Sequence, residues 1–345
     1  MKHIFSLVAL TASLALPASA AEVTLKVHHF LPPTTTVQVQ LIEPWARAVE
    51  EQSGGRIDVQ IYPMMQLGGK PPQLMDQARD GVVEVAWTLL GYTPGRFPLA
   101  ETFELPFVAS SAAATNAALQ DFQDKYLAQE MSDIHPLLLH VGAPGKFHFR
   151  NGPVASLDDL KGLKLRAPSR IMTQGLAALG ANPVGMPVPE IPMALTTGVI
   201  DGALVPWEVT PDLKLADITR YHTEFGGPNG LYTSVFALVM NKPTYDGLPE
   251  DLRQIIDRNA GRALADHASA VYDGIEAEIR QQAIDAGHDV TVIPEDQLGP
   301  WKAAAQPVID QWVADMDARG HDGQALLDDA RAMIAAHQPA GKTAP

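Results

Sequence analysis
The chain has 345 residues, 46% of them hydrophobic and 19% charged, with a formal charge of −15 from 25 Lys plus Arg against 40 Asp plus Glu. So much apolar surface excludes a disordered chain, and the acidic balance excludes wrapping a nucleic acid, where phosphate neutralisation supplies most of the affinity. Cysteine is absent, which excludes disulfides, thiolate metal sites and sulfur nucleophiles, and the length suggests about two domains.

Lys2 is the only charge among the first twenty residues, residues 4–16 are apolar, and Ala18-Ser19-Ala20 is a small-residue cleavage site. The apolar run falls short of the ~20 residues a membrane-spanning helix needs. Residues 1–20 are therefore predicted to be a secretory signal peptide, and the mature chain is expected in a bacterial periplasm, not inserted in the membrane. Val23, Leu25 and Val27 then alternate with polar neighbours as a strand, which Pro32-Pro33 ends. Leu41, Ile42, Trp45, Ala48 and Val49 recur at helical spacing up to Ser53-Gly54-Gly55, and a second strand is predicted at 57–61. A helix through Leu74, Met75 and Ala78 leads to a turn at Asp80-Gly81 and a third strand at 82–87. Strands alternating with helices predict an α/β fold with a parallel-rich sheet covered on both faces.

The second half repeats this grammar. A capping box at Ser156-Leu157-Asp158-Asp159 precedes a strand at 163–166, helices at 171–179 and 189–197, and a strand at 199–205. The stretches 81–86 and 198–203 match in outline, each joining a helix end to a buried strand. Two facing lobes follow, with a ligand cleft beyond the carboxyl ends of their strands, near Trp87 and Trp207. From Pro249 onward Leu252, Ile256, Ala260, Leu264, Ala268, Val271, Ile275 and Ile279 recur every three or four residues. They predict one helix of ~50 Å bracing both lobes, with Gly261 and Gly274 as candidate bends. Two amphipathic helices follow Trp301. The division expected is 21–146 with 236–270 for one lobe and 147–235 with 271–345 for the other.

Eleven histidines show no H-E-x-x-H or other close ligand spacing, and there is no G-x-S-x-G, Walker or G-x-G-x-x-G sequence. No metal and no cofactor are expected. The runs 160–168 (LKGLKLRAP), 178–183 (ALGANP) and 194–202 (ALTTGVIDG), together with Gln66-Leu67-Gly68-Gly69, Glu104-Leu105-Pro106-Phe107, Asn241-Lys242-Pro243 and Leu248-Pro249-Glu250-Asp251-Leu252, carry a resemblance. In this order and spacing they closely resemble the DctP-type solute-binding proteins of tripartite ATP-independent periplasmic (TRAP) transporters, over nearly all of the mature chain.

The resemblance implies a two-lobe, usually monomeric binding protein that closes on an organic anion and delivers it to membrane permease subunits, and not an enzyme. It also implies that Arg166 makes a bidentate salt bridge to the ligand carboxylate, for which a planar guanidinium is suited. Arg150 is the candidate second arginine, though its spacing is shorter than usual. Ser169 falls where the family often places a polar contact, with Arg170 as the alternative. Where the family commonly has a ligand-binding asparagine, this chain has Val205, so a second polar clamp is lost. With Trp87, Tyr92, Trp207 and Phe225 near strand ends or cleft loops, the expected ligand is a monocarboxylate with an apolar or aromatic body. Glu208, if it faces the cleft, would repel a second anion and favour a hydroxyl or a cation. Four-carbon dicarboxylates, sulfonates and betaine-like zwitterions remain alternatives. So do a periplasmic enzyme using His28, His29 or Glu208 as acid or base, and a sensory subunit presenting the same ligand to a receptor.

Overall fold
A computed structural model describes residues 21–338, so the expected signal peptide lies outside the described residues. Eleven strands form two mixed sheets. β1 (Val23–His28), β2 (Ile57–Tyr62), β3 (Val85–Leu89), β4 (His135–Val141), β5 (Lys146–Phe149), β6 (Lys164–Ala167), β7 (Asn182–Gly185), β8 (Gly202–Val205), β9 (Tyr221–Phe225), β10 (Val235–Met240) and β11 (Asp289–Ile293) follow one another along the chain. The first sheet has the order β2-β1-β3-β10-β4 and the second β11-β9-β5-β8-β6-β7. The predicted strand-helix alternation yields the parallel pairs β1 with β2 and β3, and β6 with β7 and β8. β10 runs antiparallel to both β3 and β4, and β5 antiparallel to β8 and β9. β3 is buried at every position, as a central strand covered on both faces must be.

The first predicted helix begins differently from its periodicity. Residues Val37–Ile42 wind as a π-helix before the α-helix Glu43–Gln52, and Glu43 N–H donates to the carbonyl of Gln38, five residues back. Pro44, which has no N–H to give an ordinary helical ladder, sits at the change of winding. The single helix expected after Pro249 is two: Glu250–Arg258 and Gly261–Asp285. Ala260 between them is extended and Gly261 has φ +59°, a left-handed conformation that favours glycine, so the helix restarts there. Gly274 lies within the second helix without interrupting it. At ~1.5 Å per residue that helix is nearer ~37 Å than the expected length.

Helix Gly261–Asp285 packs against helix Ala112–Tyr126 and β4 on the first-sheet side and against the turn Trp207–Val209 that follows β8 in the second sheet. It thus touches both halves and runs unbroken through position 270, where the sequence division separates the lobes. The two helices expected after Trp301 are Gly299–Ala318, which packs on helix Arg170–Ala178, and Gly323–His337. The latter packs on helix Ala112–Tyr126, beside the first sheet, although the sequence division groups it with the second. Asp329 there meets Lys125 and Tyr126, and His337 meets Asp121.

Candidate ligand-binding cleft
The chain crosses between the sheets after β4, between β9 and β10, and again before β11. A small cavity lies between the two sheets, walled by residues of both. Its walls come from the ends of strands: Phe30 and Leu31 just beyond β1, Trp87 and Leu89 on β3, Arg166 on β6, and Val205, Pro206, Glu208 and Val209 at and after β8. This is where an open α/β sheet offers side chains to a ligand.

Arg166 is 1% exposed. Its Nε donates to the carbonyl of Met186 at 3.0 Å and its Nη1 to that of Leu204 at 3.1 Å, which fixes the guanidinium plane. Nη2 has no hydrogen-bond partner, and no acid forms an ion pair with it among the described residues. A buried cation left without a counterion is costly, so this geometry calls for an anion in the cavity. Two tyrosines flank the guanidinium. Tyr232 Oη donates to the Leu204 carbonyl at 2.9 Å, and Tyr92 Oη accepts from Val188 N–H at 2.9 Å, which ties the first-sheet side to the second. Burial raises the pKa of both, and the Arg166 charge opposes that rise. A Cβ at Gly145 would lie 2.1 Å from the Tyr232 ring, so glycine is required there to seat it.

An aromatic wall stands on the first-sheet side. The Trp87 ring stacks on Phe236 at 4.9 Å and on Phe30 at 5.2 Å, and its Nε1–H donates to His140 Nε2 at 3.0 Å. Burial drives His140 down to about 4, which leaves its imidazole neutral and able to accept that bond. His140 continues the stack onto Phe236 and Tyr272, at 5.2 and 5.4 Å.

Val205 lines the cavity where a second polar clamp was absent from the sequence. Behind it runs a line of buried imidazoles whose hydrogen bonds assign one tautomer each. His288 Nδ1–H donates to His222 Nε2 at 2.9 Å, His222 Nδ1–H to His148 Nδ1 at 2.8 Å, and His148 Nε2–H to the Val205 carbonyl at 3.1 Å. All three are satisfied while neutral, and burial holds His148 near 3 and His222 near 2.

Glu208 also lines the cavity. Its backbone N–H donates to Glu276 Oε1 at 2.8 Å, Glu276 pairs with Lys146, and the Glu208 carboxyl itself has no hydrogen-bond partner among the described residues. Burial first, then the nearby Glu276 and Asp212, push it up to about 8, with Lys146 opposing. It is therefore a neutral carboxylic acid at pH 7.

Of the nine residues singled out in the sequence, Arg166, Trp87 and Glu208 meet on the cavity wall and Tyr92 stands at its edge. The other five serve elsewhere. Arg150 Nη1 donates to the Leu195 carbonyl, beside Gly198 and away from the cavity. Ser169 caps helix Arg170–Ala178, and Arg170 pairs with Glu101 and Asp315, so its charge is already matched. Trp207 lies behind the wall, where its Nε1–H donates to Glu224 at 2.7 Å and its ring packs on His148 and His222. Phe225 belongs to a separate apolar cluster with Phe107, Phe147 and Trp301. His28 and His29, the residues of the enzyme alternative, are buried against Gln77 and Gln38 and do not line the cavity. Sequence reasoning missed Phe30, Tyr232, Phe236 and Tyr272. The end of β1 could have signalled Phe30, whereas Tyr272 sits mid-helix with no local mark.

Residues 27–315 match the family model of bacterial extracellular solute-binding protein, family 7 (DctP). A marine metagenome TRAP solute-binding protein specific for aromatic acid ligands, crystallised with 3-hydroxybenzoate, is 45% identical with a TM-score of 0.90, covering 93% of this chain and 100% of that one. A TRAP solute-binding protein from Rhodoferax ferrireducens T118, holding copurified benzoate, is 46% identical with a TM-score of 0.88, covering 91% and 98%. The C4-dicarboxylate-binding periplasmic protein DctP of Rhodobacter capsulatus is 27% identical, covering 88% of this chain and 90% of its own length.

Proposed function
We infer the cargo of this chain from what it is: it belongs to the bacterial extracellular solute-binding protein family 7, the DctP type, and is a periplasmic solute-binding protein of the TRAP kind. The cargo we propose is an aromatic monocarboxylate, captured between the two sheets as the lobes close and handed to the permease subunits of a TRAP transporter.

One observation carries this reading: Arg166 is buried with Nη2 unpartnered and no acid beside it. A ligand carboxylate supplies the missing charge and the missing acceptor together. Arg166 is the one cation on the cavity wall among the described residues, which favours one carboxylate over two. The stacked Trp87, Phe236 and Phe30 favour a flat apolar body. The two relatives that carry benzoate and 3-hydroxybenzoate support the same class. Closure is supported by bonds that span the two sides, Tyr92 to Val188 and Thr34 to Asp212.

The test is thermal unfolding of the mature protein with benzoate, phenylacetate, succinate, an aliphatic monoacid and a sulfonate. A benzoate-type acid at 100 times its dissociation constant is expected to add about 2.7 kcal/mol of stability. A response to succinate without one to benzoate would overturn the reading. Delivery is tested by uptake of the same acid in cells carrying or lacking the permease.

A further inference from the structure
The cavity has a second polar end that the carboxylate anchor leaves unused. Glu208 and Tyr272 both line it, and, unlike Arg166 Nη2, neither is among the buried polar atoms left without a partner, so their polar tips open on the cavity. Tyr272 is 2% exposed, on helix Gly261–Asp285, with its ring stacked on His140. Two polar groups facing one apolar cavity, close enough for Glu208 to bear on the Tyr272 hydroxyl, are placed to bond a ligand that fills it.

The groups around this end decide what that is. Glu276 and Asp212 lie near Glu208, and Lys146, the one cation in reach, is already paired with Glu276. A second ligand carboxylate would meet only acids there. Among the described residues no ion pair joins Glu208 to Arg166, and Arg166 is not among the groups that shift Glu208. Glu208 is mostly protonated at pH 7, and burial keeps the Tyr272 hydroxyl protonated. The pair thus presents neutral donors and acceptors. A hydroxyl group matches it best, because it can donate to one oxygen and accept from the other at the same time.

We propose that Glu208 and Tyr272 form a subsite that reads a hydroxyl group on the ligand's ring, so that the preferred cargo is a hydroxylated aromatic monocarboxylate. This rests on the aromatic-monoacid reading above and narrows it. A site built to bond a hydroxyl discriminates strongly against the analogue without one, since its buried groups are then left unpaired.

Isothermal titration of the mature protein with benzoate, 3-hydroxybenzoate and 3-(aminomethyl)benzoate tests it, in the wild type and in Glu208→Gln, Glu208→Leu and Tyr272→Phe. The wild type is expected to bind 3-hydroxybenzoate at least about tenfold more tightly than benzoate. Glu208→Leu and Tyr272→Phe should each shrink that ratio, and Glu208→Gln, which stays neutral and hydrogen-bonding, should keep most of it. Equal binding of benzoate and 3-hydroxybenzoate by the wild type overturns this subsite while leaving the aromatic-monoacid reading intact. So does a ratio that persists in both Glu208→Leu and Tyr272→Phe. Tightest binding of the aminomethyl compound would make Glu208 an ionised counterion and overturn it as well. Failure of every aromatic acid to bind overturns the underlying reading and this one with it.

Discussion
The first sheet faces the cavity with Trp87 and Phe236, and with Phe30 beyond its β1 end, all uncharged and stacked on one another. The second sheet faces it with Arg166, whose Nη2 has no protein partner, and, beyond β8, with Glu208, both ionisable. One wall is therefore mainly apolar ring surface and the other carries the ionisable groups, with Tyr272, stacked on His140 of β4, as the polar exception on the first-sheet side. Because the stacked rings and the ionisable groups sit on separate sheets, a change on one side should alter which rings fit without altering which charges are accepted, and the reverse.

The strongest break of that division is Arg166→Ala. It should cost about 2 to 5 kcal/mol of binding, thirtyfold to several thousandfold, for every carboxylate whatever its body, measured by isothermal titration. An effect limited to one ring shape would merge the two walls into one determinant. The next largest effect is on stability. Glu208 rises from 4.5 to about 8 in the folded chain, so between those values the folded state keeps a proton that the unfolded state releases, and stability falls as the pH climbs. Glu104 and Glu130, both pushed up to about 7 by burial, act in the same direction over a narrower range. Below about pH 6.5 the buried histidines act the other way, because His140, His148 and His222 stay neutral in the folded chain and take a proton only when it unfolds. The fall in melting temperature should therefore appear between about pH 7 and pH 8, where the histidines no longer titrate, and Glu208→Gln should flatten it. An unchanged slope there would mean that Glu208 is already ionised.

On the aromatic wall, Phe236→Leu keeps apolar bulk but removes the stacking partner of Trp87. Aromatic stacking is worth about 0.5 to 1.5 kcal/mol beyond burial, so aromatic acids should weaken by roughly two- to tenfold while aliphatic monoacids hold steady. The smallest effect belongs to Arg150→Ala, which should leave affinity within about twofold, because that side chain serves the Leu195 carbonyl and matches no ligand charge. A large loss would restore Arg150 to the site.

How much of this was legible in the sequence depends on where each side chain finds its partner. The strand-helix alternation is local, and it led to the parallel pairs of both sheets. Arg166 was identified through the motif around it, and the structure places it on the cavity wall with Nη2 unpartnered. Arg170 lies only four residues further on, yet its partners Glu101 and Asp315 come from remote segments that no local pattern joins. Trp207 and Phe225 were singled out for nearness to strand ends, a criterion that places a backbone but not the face its side chain takes. The break between Arg258 and Gly261 escaped notice because both helices bury the same three-to-four spacing, so the apolar rhythm passes over Asn259 and Ala260 unchanged.

β10 carries a consequence for how the molecule is made. It lies between β3 and β4, and its Phe236 pairs with Leu89, nearly 150 positions earlier in the chain. Every strand of the second sheet but β11 is synthesised before it. The first sheet therefore cannot close while the chain is shorter than about 240 residues, and such long-range pairing slows folding. The aromatic wall, which needs Phe236 of β10 to complete the stack on Trp87, therefore takes shape only after most of the chain has been made.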